Sequence, residues 1–456
     1  MSAEGMDITV DVPACARALS EATPYVLRGR ISQVRGLIVE SRGPVSKVGD
    51  VCQIWACGRE TPVLAEVVGF SDGKVMLLPV SSGNGIAPGC RVDSTGGGLE
   101  VGVGESLLGR VLDALGQPID EGPPLKPDDS YPLDNEPPPP LSRQSIKRPL
   151  GVGIKAIDAF LTCGRGQRMG IFAGSGVGKS TLMGMMARNT EADVAVVALI
   201  GERGRELQEF VENDLGPKGL SRSVVVAATS DQPPLLRMKA AQTAVTVAEY
   251  FRDRGAHVVL LMDSLTRYAL ACREVGLAAG EPPTTRGYPP SAFALMPRLL
   301  ERCGTGPAGS ITGFFAVLVE GDDFNEPVAD AARSILDGHV VLDRKLAARN
   351  HYPPIDVLGS VSRLMPAVAD QEHQAAAGLV REILAVHRDA EDLINIGAYR
   401  GGSNPEIDRA LFFLPRIRSF LRQRPDQVHP LAETQESLGI VAADIEGWQP
   451  GEEHAL

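Results

Sequence analysis

Several features that define other classes of protein are missing from this chain of 456 residues. Its seven cysteines contain no CxxC pair, and its seven histidines form neither HxxxH nor HExxH, so spacing predicts no zinc site. The longest apolar stretches, near residues 194–200 and 311–319, are far shorter than the roughly 20 residues that span a bilayer. Basic residues number 45 against 57 acidic ones, and this net charge of -12 opposes a bulk attraction to nucleic acid or anionic lipid.

The cysteine pattern and the amino terminus both bear on the cellular compartment. The seven scattered cysteines are an odd number, which fits a reducing compartment better than a disulfide framework. Glu4, Asp7 and Asp11 stand where a secretory signal would need a basic and then an apolar region. We therefore expect an intracellular protein whose only membrane contact is peripheral.

What the chain does contain is typical of a globular protein with two or three domains, because its length is about three times the roughly 150-residue average for one domain. Between residues 25 and 93, short runs rich in Val, Ile and Leu alternate with Gly, Pro, Asn and Asp. This pattern predicts a small all-β domain, closed into a barrel because closure removes exposed strand edges. Residues 1–95 are assigned to this β-barrel domain and an amino-terminal segment, which has a short helix near 14–19.

A proline-rich stretch follows the predicted barrel. Prolines recur between Gly116 and Pro149, with an unbroken run at 137–140. Because proline fixes its own backbone angle and lacks an N–H, the stretch favours an extended polyproline segment over helix or sheet. Residues 96–150 are therefore predicted to connect two domains.

The rest of the chain changes its pattern twice. From Gln167 onward, apolar strand-like runs alternate with helical stretches, which predicts a parallel α/β sheet in a domain over residues 151–366. After about Ala367 the strands stop, so residues 367–456 are expected to form a helical domain. The apolar residues at helical spacing there are Ile407, Ala410, Leu411, Leu414, Ile417 and Leu421.

A strand predicted over residues 169–173 leads into a glycine-rich loop and then at once into a helical run. From Ala173 the loop reads Ala-Gly-Ser-Gly-Val-Gly-Lys-Ser-Thr, a Walker A motif in its required context, although the strict pattern has Gly where Ala173 stands. The glycines let backbone N–H groups turn toward phosphate oxygens, and the following helix presents its positive end there. The predicted nucleotide-binding residues are Gly174, Ser175, Gly176, Val177, Gly178, Lys179, Ser180 and Thr181.

Three polar residues give this loop its expected chemistry. The Lys179 ammonium would reach the β and γ phosphates of a nucleotide, and the Ser180 hydroxyl would coordinate Mg²⁺. The run His-Val-Val-Leu-Leu-Met-Asp ends at Asp263, where a Walker B carboxylate would hold Mg²⁺ through its water shell. An apolar run ending in Asp also arises by chance, so this assignment depends on the Walker A motif. No Asn-Lys-x-Asp guanine signature occurs, which favours ATP over GTP.

A third predicted strand, residues 194–200, ends in the string Gly-Glu-Arg-Gly-Arg-Glu over 201–206. Ligands bind at the carboxyl ends of parallel strands, so Glu202 is a candidate for the base that polarises the water attacking the γ-phosphate. A surface Glu–Arg pair explains the same residues equally well.

With these residues in place, the chain resembles the flagellar and type III secretion ATPase family, itself similar to the catalytic subunit of rotary ATP synthases. The likeness covers nearly the whole chain. It implies a RecA-like P-loop core with a parallel sheet, preceded by a small β-barrel domain and followed by a helical domain. The matching strings are Phe-Ala-Gly-Ser-Gly-Val-Gly-Lys-Ser from Phe172, Gly-Glu-Arg-Gly-Arg-Glu from Gly201, Met-Asp-Ser-Leu-Thr-Arg from Met262, Gly-Tyr-Pro-Pro-Ser from Gly287 and Tyr-Pro-Pro-Ile-Asp-Val-Leu-Gly-Ser-Val-Ser-Arg from Tyr352.

The resemblance implies roles for individual residues. It implies that Glu202 orients the attacking water and that its neighbour Arg203 takes part in phosphate sensing. It makes Arg267 a phosphate-facing cation, with a local i,i+4 ion pair to Asp263 as the alternative. Arg363 is similar to the arginine finger that reaches the ATP of a neighbouring subunit.

The resemblance also implies a pocket for the adenine base. Tyr352 is similar to the aromatic residue that stacks on adenine in the rotary enzymes, with simple packing as the alternative. The second aromatic residue of that pocket has no clear counterpart in residues 422–431. Base selectivity is therefore expected to be loose.

One chain has both the candidate base and the candidate arginine finger, so the resemblance implies a homohexamer. It further implies an ATP-hydrolysing ring that energises protein export, in the cytoplasm and peripheral at the inner face of the cell membrane. The implied partners are a stalk protein, a regulator at the amino-terminal segment and chaperone–substrate complexes at the carboxyl-terminal domain. The alternatives are a subunit of a rotary-type ATPase, and a ring-shaped nucleic-acid translocase, which the acidic balance opposes.

Overall fold

The computed structural model describes Val12 and residues 27–319, 323–324 and 326–449. The helix expected near 14–19 lies outside the described residues. The chain divides into two compact units at the bond between Gly98 and Leu99. No helix in the described part of the chain combines the length and the apolar character needed to cross a membrane.

The first unit is a closed barrel of six antiparallel strands, which confirms the predicted closure. Its strands are β1 (Arg28–Arg35), β2 (Ile38–Arg42), β3 (Val51–Trp55), β4 (Val63–Ser71), β5 (Lys74–Pro79) and β6 (Arg91–Ser94). They pair in the order β1-β2-β5-β4-β3-β6, and β6 closes the ring against β1. Alternation buries Val63, Ala65 and Val67 of β4 in the barrel core. Strand β6 escapes prediction because its only apolar residue is Val92.

The connecting segment contains strands, so the polyproline segment expected over 116–149 is wrong in part. The strands are β7 (Glu100–Val103), β8 (Arg110–Leu112), β9 (Asp129–Pro132) and β10 (Pro149–Leu150). Strand β9 pairs antiparallel with β7, and Pro132 is tolerated because it ends a strand of a two-stranded sheet. The buried Arg110 of β8 donates to Asp120 at 3.0 Å, which fastens the following turn to the strand. These pairings make the segment part of the second unit.

The second unit is built on a nine-stranded sheet. Its remaining strands are β11 (Cys163–Gly164), which pairs with β10 outside the main sheet, then β12 (Arg168–Ala173), β13 (Val194–Glu202), β14 (Ser223–Thr229), β15 (His257–Asp263), β16 (Gly304–Thr305), β17 (Ser310–Leu318), β18 (Gly338–Leu342) and β19 (Val361–Ser362). The order is β19-β18-β12-β17-β15-β13-β14-β8, with β16 on β17. Strands β12, β17, β15 and β13 run parallel, which confirms the predicted α/β sheet. Their carboxyl ends therefore meet at one edge.

Helices pack against this sheet, and its central strands are buried almost throughout, as expected for a parallel sheet. The helices are α1 (Lys155–Phe160), α2 (Lys179–Asn189), α3 (Gly204–Glu209), α4 (Gly216–Leu220), α5 (Pro234–Asp253), α6 (Leu265–Ala278), α7 (Pro290–Glu301), α8 (Pro327–Ile335), α9 (Arg344–Ala348), α10 (Met365–Val368), α11 (Gln371–Asn395), α12 (Pro405–Leu421) and α13 (Leu431–Glu446).

The last three helices form the predicted helical region and pack against α1. The ring of Phe160 in α1 meets Phe420 of α12 edge-on, with centroids 6.2 Å apart. A ring nitrogen of His373 in α11 lies 2.8 Å from the Ala159 carbonyl oxygen. Ala410, Leu414, Ile417 and Leu421, four members of the apolar stripe, are buried in the core. The domain boundaries assigned from the sequence at 95, 150 and 366 stay predictions.

Candidate active site

The phosphate loop, residues 174–178, joins the carboxyl end of β12 to the start of α2. Gly176 has φ of 76° and Gly178 has φ of 88°, a left-handed backbone that glycine adopts without strain. Gly178 stands at the amino end of α2, where backbone N–H groups have no partner within the helix. Ala173 is buried, and its carbonyl accepts from the Val319 N–H at 3.0 Å. Ala173, which replaces the first glycine of the strict Walker pattern, is therefore the last residue of β12.

Three of the predicted residues meet beside this loop. The Lys179 ammonium donates a hydrogen bond to the Asp263 carboxylate and lies 3.9 Å from Oε1 of Glu202. Asp263 ends β15 and is 3% exposed, while Glu202 ends β13. One ammonium thus faces two carboxylates at the edge where parallel strands end.

The environment of Glu202 changes its acidity. Burial raises the pKa of Glu202 to about 7, and the nearby negative charge of Asp263 acts in the same direction. The Lys179 ammonium opposes this rise, as does Arg267 more weakly, whereas a hydrogen bond with Glu206 adds to it. A carboxyl group with a pKa near the operating pH can exchange a proton with a reacting water. The alternative of an ordinary surface Glu–Arg pair does not describe Glu202.

Arg267 lies on the first turn of α6, close to Glu202. The Ser264 hydroxyl accepts from the Arg267 N–H at 3.2 Å and caps the helix. Gly201 has φ of 71°, and a Cβ there would approach the Arg267 Cβ to 3.1 Å, so both backbone and space require glycine. The Arg267 Nε is buried without a hydrogen-bond partner, and in the described part of the chain the ion pair of Asp263 is with Lys179. Among the described residues the i,i+4 ion pair between Arg267 and Asp263 is therefore not formed, and the role of Arg267 as a phosphate-facing cation stays a prediction.

The remaining predicted residues of the loop have different surroundings. Ser180 is exposed at the start of α2. The Thr181 hydroxyl instead hydrogen-bonds the Asp214 carboxyl, so its backbone N–H is the group left for phosphate. Arg203 has a side chain 76% exposed and pairs with Glu206 at 3.3 Å. The structure therefore does not bring the Arg203 guanidinium to Lys179.

Tyr352 lines a cavity of about 540 Å³ next to the phosphate loop, where Gly178 and residues of α2 form one wall. The opposite wall is the segment 422–427 that follows α12. Tyr352 is 43% exposed, which argues against the packing alternative. The cavity is open enough for an aromatic base beside a bound phosphate chain.

Composition and periodicity do not identify the wall formed by residues 422–427, and only the family resemblance points to residues 422–431 as part of the base pocket. Gln423 fixes the wall in place: its N–H donates to the Tyr352 carbonyl at 3.0 Å, and its side-chain amide donates to the Gly153 carbonyl at 2.8 Å. Its amide oxygen also accepts from the Lys155 N–H at 3.0 Å. In the sequence, a glutamine after an apolar helix does not identify these partners.

Arg363 lies at the opposite edge of the sheet. It follows β19, whose Ser362 pairs with Gly338 at the start of β18. Strand β18 is parallel to β12, and Leu342 at its end is level with the last residue of β12, after which the phosphate loop begins. Gly338 stands four residues before Leu342, so the level of Arg363 and that of the loop are roughly 13 Å apart along the strands. Arg363 is exposed, and its guanidinium donates to the Arg333 carbonyl at 3.3 Å. The structure therefore does not bring Arg363 to the loop of its own chain.

Three family models match successive parts of the chain. The beta-barrel domain of the ATP synthase alpha/beta family matches residues 31–96, and the nucleotide-binding domain of that family matches residues 153–362. The T3SS EscN ATPase C-terminal domain matches residues 369–439. The matches thus follow the barrel, the central sheet and the last helices.

Curated relatives are similar over almost their whole length. The flagellum-specific ATP synthase of Bacillus subtilis is 54% identical over 425 residues, which is 92% of this chain and 97% of the relative. The flagellum-specific ATP synthase of Salmonella typhimurium is 51% identical, over 88% of this chain and 90% of the relative. The type 3 secretion system ATPase of Xanthomonas euvesicatoria is 49% identical, over 91% and 94%.

A solved structure shows the same architecture. The assembled ATPase EscN from the enteropathogenic E. coli type III secretion system has a TM-score of 0.86 and 46% identity, and the match covers 91% of this chain and 100% of that chain. EscN in complex with its central stalk EscO has a TM-score of 0.84 and 45% identity, with the same coverage. The predicted fold class is confirmed.

Proposed function

This chain belongs to the family of flagellar and type III secretion ATPases, and we propose that its hydrolysis of ATP drives protein export from a homohexameric ring. The observation that supports this most is the meeting of Lys179, Glu202 and Asp263 at the carboxyl edge of the sheet. The unpartnered Nε of Arg267 beside them is a further group suited to a phosphate oxygen.

The phosphate chain of ATP would lie on the N–H groups of the phosphate loop and on the Lys179 ammonium, which turns from Asp263 to the β and γ phosphates. Ser180 and Asp263 would hold Mg²⁺, because both offer the oxygen ligands that this ion prefers. When bound, Mg²⁺ neutralises charge on the phosphates.

Glu202 would act on the water that attacks the γ-phosphate. Its carboxylate accepts a hydrogen bond from that water and fixes the direction of attack, which is the main protein contribution to phosphoryl transfer. Arg267 would stabilise negative charge on the equatorial oxygens. Arg203 would act only after a change of conformation, since its side chain faces solvent.

A ring is proposed because Arg363 cannot reach the phosphates of its own chain. It projects from the edge of the sheet opposite to the phosphate loop, at a distance longer than an arginine side chain. An exposed guanidinium at such an edge is placed to enter the site of a neighbouring copy, where it would neutralise charge on the γ-phosphate. The site of one chain would then be completed by the next chain around the ring.

The adenine base would occupy the cavity beside Tyr352. Stacking on an aromatic ring holds any purine, and the opposite wall of residues 422–427 offers backbone groups and flexible polar side chains. This arrangement supports adenine binding with modest base selectivity.

Partners and location follow from the proposed export role. We propose a stalk protein in the centre of the ring, supported by the relative EscN, which has been solved with its central stalk. A regulator at the amino-terminal segment and chaperone–substrate complexes at the last helices complete the proposal. The ring would act in the cytoplasm, peripheral at the inner face of the cell membrane. A rotary-type subunit or a nucleic-acid translocase is not favoured, because the curated relatives are flagellar and type III secretion ATPases.

Mixing two inactive variants tests the site and the ring together. Glu202→Gln should bind a fluorescent ATP analogue as the native chain does and lose about 10²- to 10³-fold in turnover. Arg363→Ala should lose turnover by a similar factor. In mixed rings an Arg363→Ala chain with intact Glu202 would receive the arginine of a Glu202→Gln neighbour. ATP hydrolysis should therefore reappear on mixing.

The controls separate the two parts of the proposal. Glu209→Gln changes an exposed carboxyl group on α3 and should leave turnover unchanged. A double variant that has both Glu202→Gln and Arg363→Ala supplies no Arg363. Mixing this double variant with Arg363→Ala should therefore restore no ATP hydrolysis. If mixtures that assemble stay inactive, Arg363 does not act between chains. Undiminished turnover in Glu202→Gln would instead overturn the role of Glu202.

A further inference from the structure

Two cysteines of the barrel bring their thiols together, far along the sequence from the nucleotide site. The Sγ atoms of Cys57 and Cys90 lie 3.8 Å apart and share an S–H···S contact. Cys57 follows β3 and is exposed, whereas Cys90 precedes β6 and is 7% exposed. A reagent in solvent can therefore reach the Cys57 sulfur, and the buried Cys90 sulfur lies next to it.

Backbone hydrogen bonds of the barrel hold both residues in place. The Cys57 N–H donates to the Gly85 carbonyl at 2.9 Å. The Cys90 N–H donates to Ala87 at 3.2 Å, and its carbonyl accepts from the Ile31 N–H at 2.9 Å. A disulfide needs the two sulfurs, now 3.8 Å apart, to approach by about 1.8 Å.

The other cysteines in the described part of the chain are unsuited to oxidation. Cys52, Cys163, Cys272 and Cys303 are all buried. Burial raises the pKa of Cys52 to about 11 and that of Cys303 to about 12, so neither forms a reactive thiolate near neutral pH. The contact with Cys90 also raises the pKa of Cys57, which slows its reaction but leaves it as the thiol that solvent reaches.

We propose that Cys57 and Cys90 form a reversible disulfide when the protein meets a hydroperoxide. The Cys57 thiolate attacks one peroxide oxygen, which breaks the O–O bond and gives a sulfenic acid and water (an alcohol from an organic hydroperoxide). The Cys90 sulfur then attacks the Cys57 sulfur, forms the S–S bond and releases the sulfenic oxygen as a second water. Two thiols are oxidised, one peroxide is reduced, and both thiol protons leave in the products. The bond would tie the end of β3 to the β5–β6 connection.

Peptide mapping of the full-length chain tests this proposal. The reduced protein is treated with hydrogen peroxide, free thiols are alkylated, and digests are compared with and without dithiothreitol. We expect a peptide pair joined through Cys57 and Cys90 that dithiothreitol releases, at peroxide levels that leave Cys272 and Cys303 unchanged. The Cys57→Ser variant should yield no linked pair, and circular dichroism should show that it is folded.

A second variant identifies the order of the two steps. In Cys90→Ala the sulfenic acid of Cys57 cannot be resolved, so dimedone should trap it at a level several-fold above that in the native chain. The proposal is overturned if the native chain yields sulfinic acid at Cys57 with Cys90 still open to alkylation. Linkage of Cys57 to a different cysteine, or between chains, would overturn it equally.

Discussion

The two ends of the nucleotide site are built in different ways. The phosphate end consists of residues at the termini of neighbouring parallel strands, and it includes Asp263, which is 3% exposed. The base end consists of connections that come from distant parts of the chain, and its Tyr352 is 43% exposed. In the proposed site the chemistry of hydrolysis would therefore lie on the rigid sheet, and recognition of the base would depend on loops, which tolerate variation.

Charge separates the two ends as well. At the phosphate end one ammonium faces two carboxylates, and the pKa of Glu202 responds to the charges of both Asp263 and Lys179. At the base end the described residues that line the cavity include Arg422 and Arg424 but no carboxylate, and its walls are joined by backbone hydrogen bonds such as that from the Gln423 N–H to the Tyr352 carbonyl. Substitutions at the phosphate end should therefore have large and coupled effects, and those at the base end small and independent ones.

The largest effect is expected from Lys179→Ala. The change removes the cation proposed to contact the β and γ phosphates and leaves Asp263 and Glu202 without their shared ammonium. We expect turnover to fall about 10³-fold and nucleotide affinity to fall with it. Steady-state ATP hydrolysis and titration with a fluorescent ATP analogue measure both quantities.

Lys218→Ala is the matched control, because Lys218 is exposed on α4. Its turnover should equal that of the native chain. If Lys179→Ala loses no more activity than Tyr352→Ala at the base end, the expected contrast between large effects at the phosphate end and small effects at the base end is wrong.

The dependence of activity on pH should give an intermediate effect. Burial raises the pKa of Glu202 from 4.5 to about 7, and the ionised form is the one that accepts a hydrogen bond from water. Below pH 7, kcat/KM should therefore fall about tenfold for each pH unit. Hydrolysis assays from pH 5.5 to about 8.5 measure this limb, and Glu209→Gln should reproduce it.

The raised pKa also fixes the sign of a stability effect. Between pH 4.5 and about 7 the folded chain holds a proton on Glu202 that the unfolded chain has lost, so this group's contribution to stability decreases as pH rises through that window. Glu202→Gln lacks this loss and should unfold at a higher temperature than the native chain at pH above 7. If the unfolding temperatures of Glu202→Gln and the native chain differ by the same amount at acid and at neutral pH, the pKa of Glu202 is not raised in the folded chain.

The same contrast explains what the sequence can predict. The positions of the Walker A loop, Asp263 and Glu202 follow from local patterns, because an apolar run that ends in a polar residue marks the carboxyl end of a buried strand. The role of Glu202 does not, since a surface Glu–Arg pair explains the same residues and only the family resemblance implies that Glu202 orients water. The closed barrel and the parallel sheet follow from the same kind of periodicity. The pairing of short strands over long separations does not follow from periodicity. Strand β8 pairs with β14 and strand β9 with β7, and no local pattern identifies these partners.

The base end depends on contacts that no local pattern contains. Hydrogen bonds that join Gln423 to Gly153 and Lys155, more than 250 residues earlier, help to hold segment 422–427 as a wall of the site. The Arg188 guanidinium also donates to the Pro425 carbonyl at 2.8 Å. Arg363 is a different case: its string identifies a role, and only the sheet order shows that it lies at the edge away from its own phosphate loop. Family resemblance implies that role, and the topology supports the proposal that Arg363 acts between chains.

The smallest effect is expected from Tyr352→Ala, which sharpens the comparison at the base end. Loss of the ring removes stacking on adenine and should raise KM for ATP about tenfold, with kcat changed little because no reacting atom is touched. Tyr352→Phe retains the ring and should keep the native KM. Initial rates with ATP and with GTP give kcat and KM separately. Tyr352→Ala should raise KM by the same factor for both nucleotides. A fall in kcat with KM unchanged would place Tyr352 in the chemistry of the phosphate end instead.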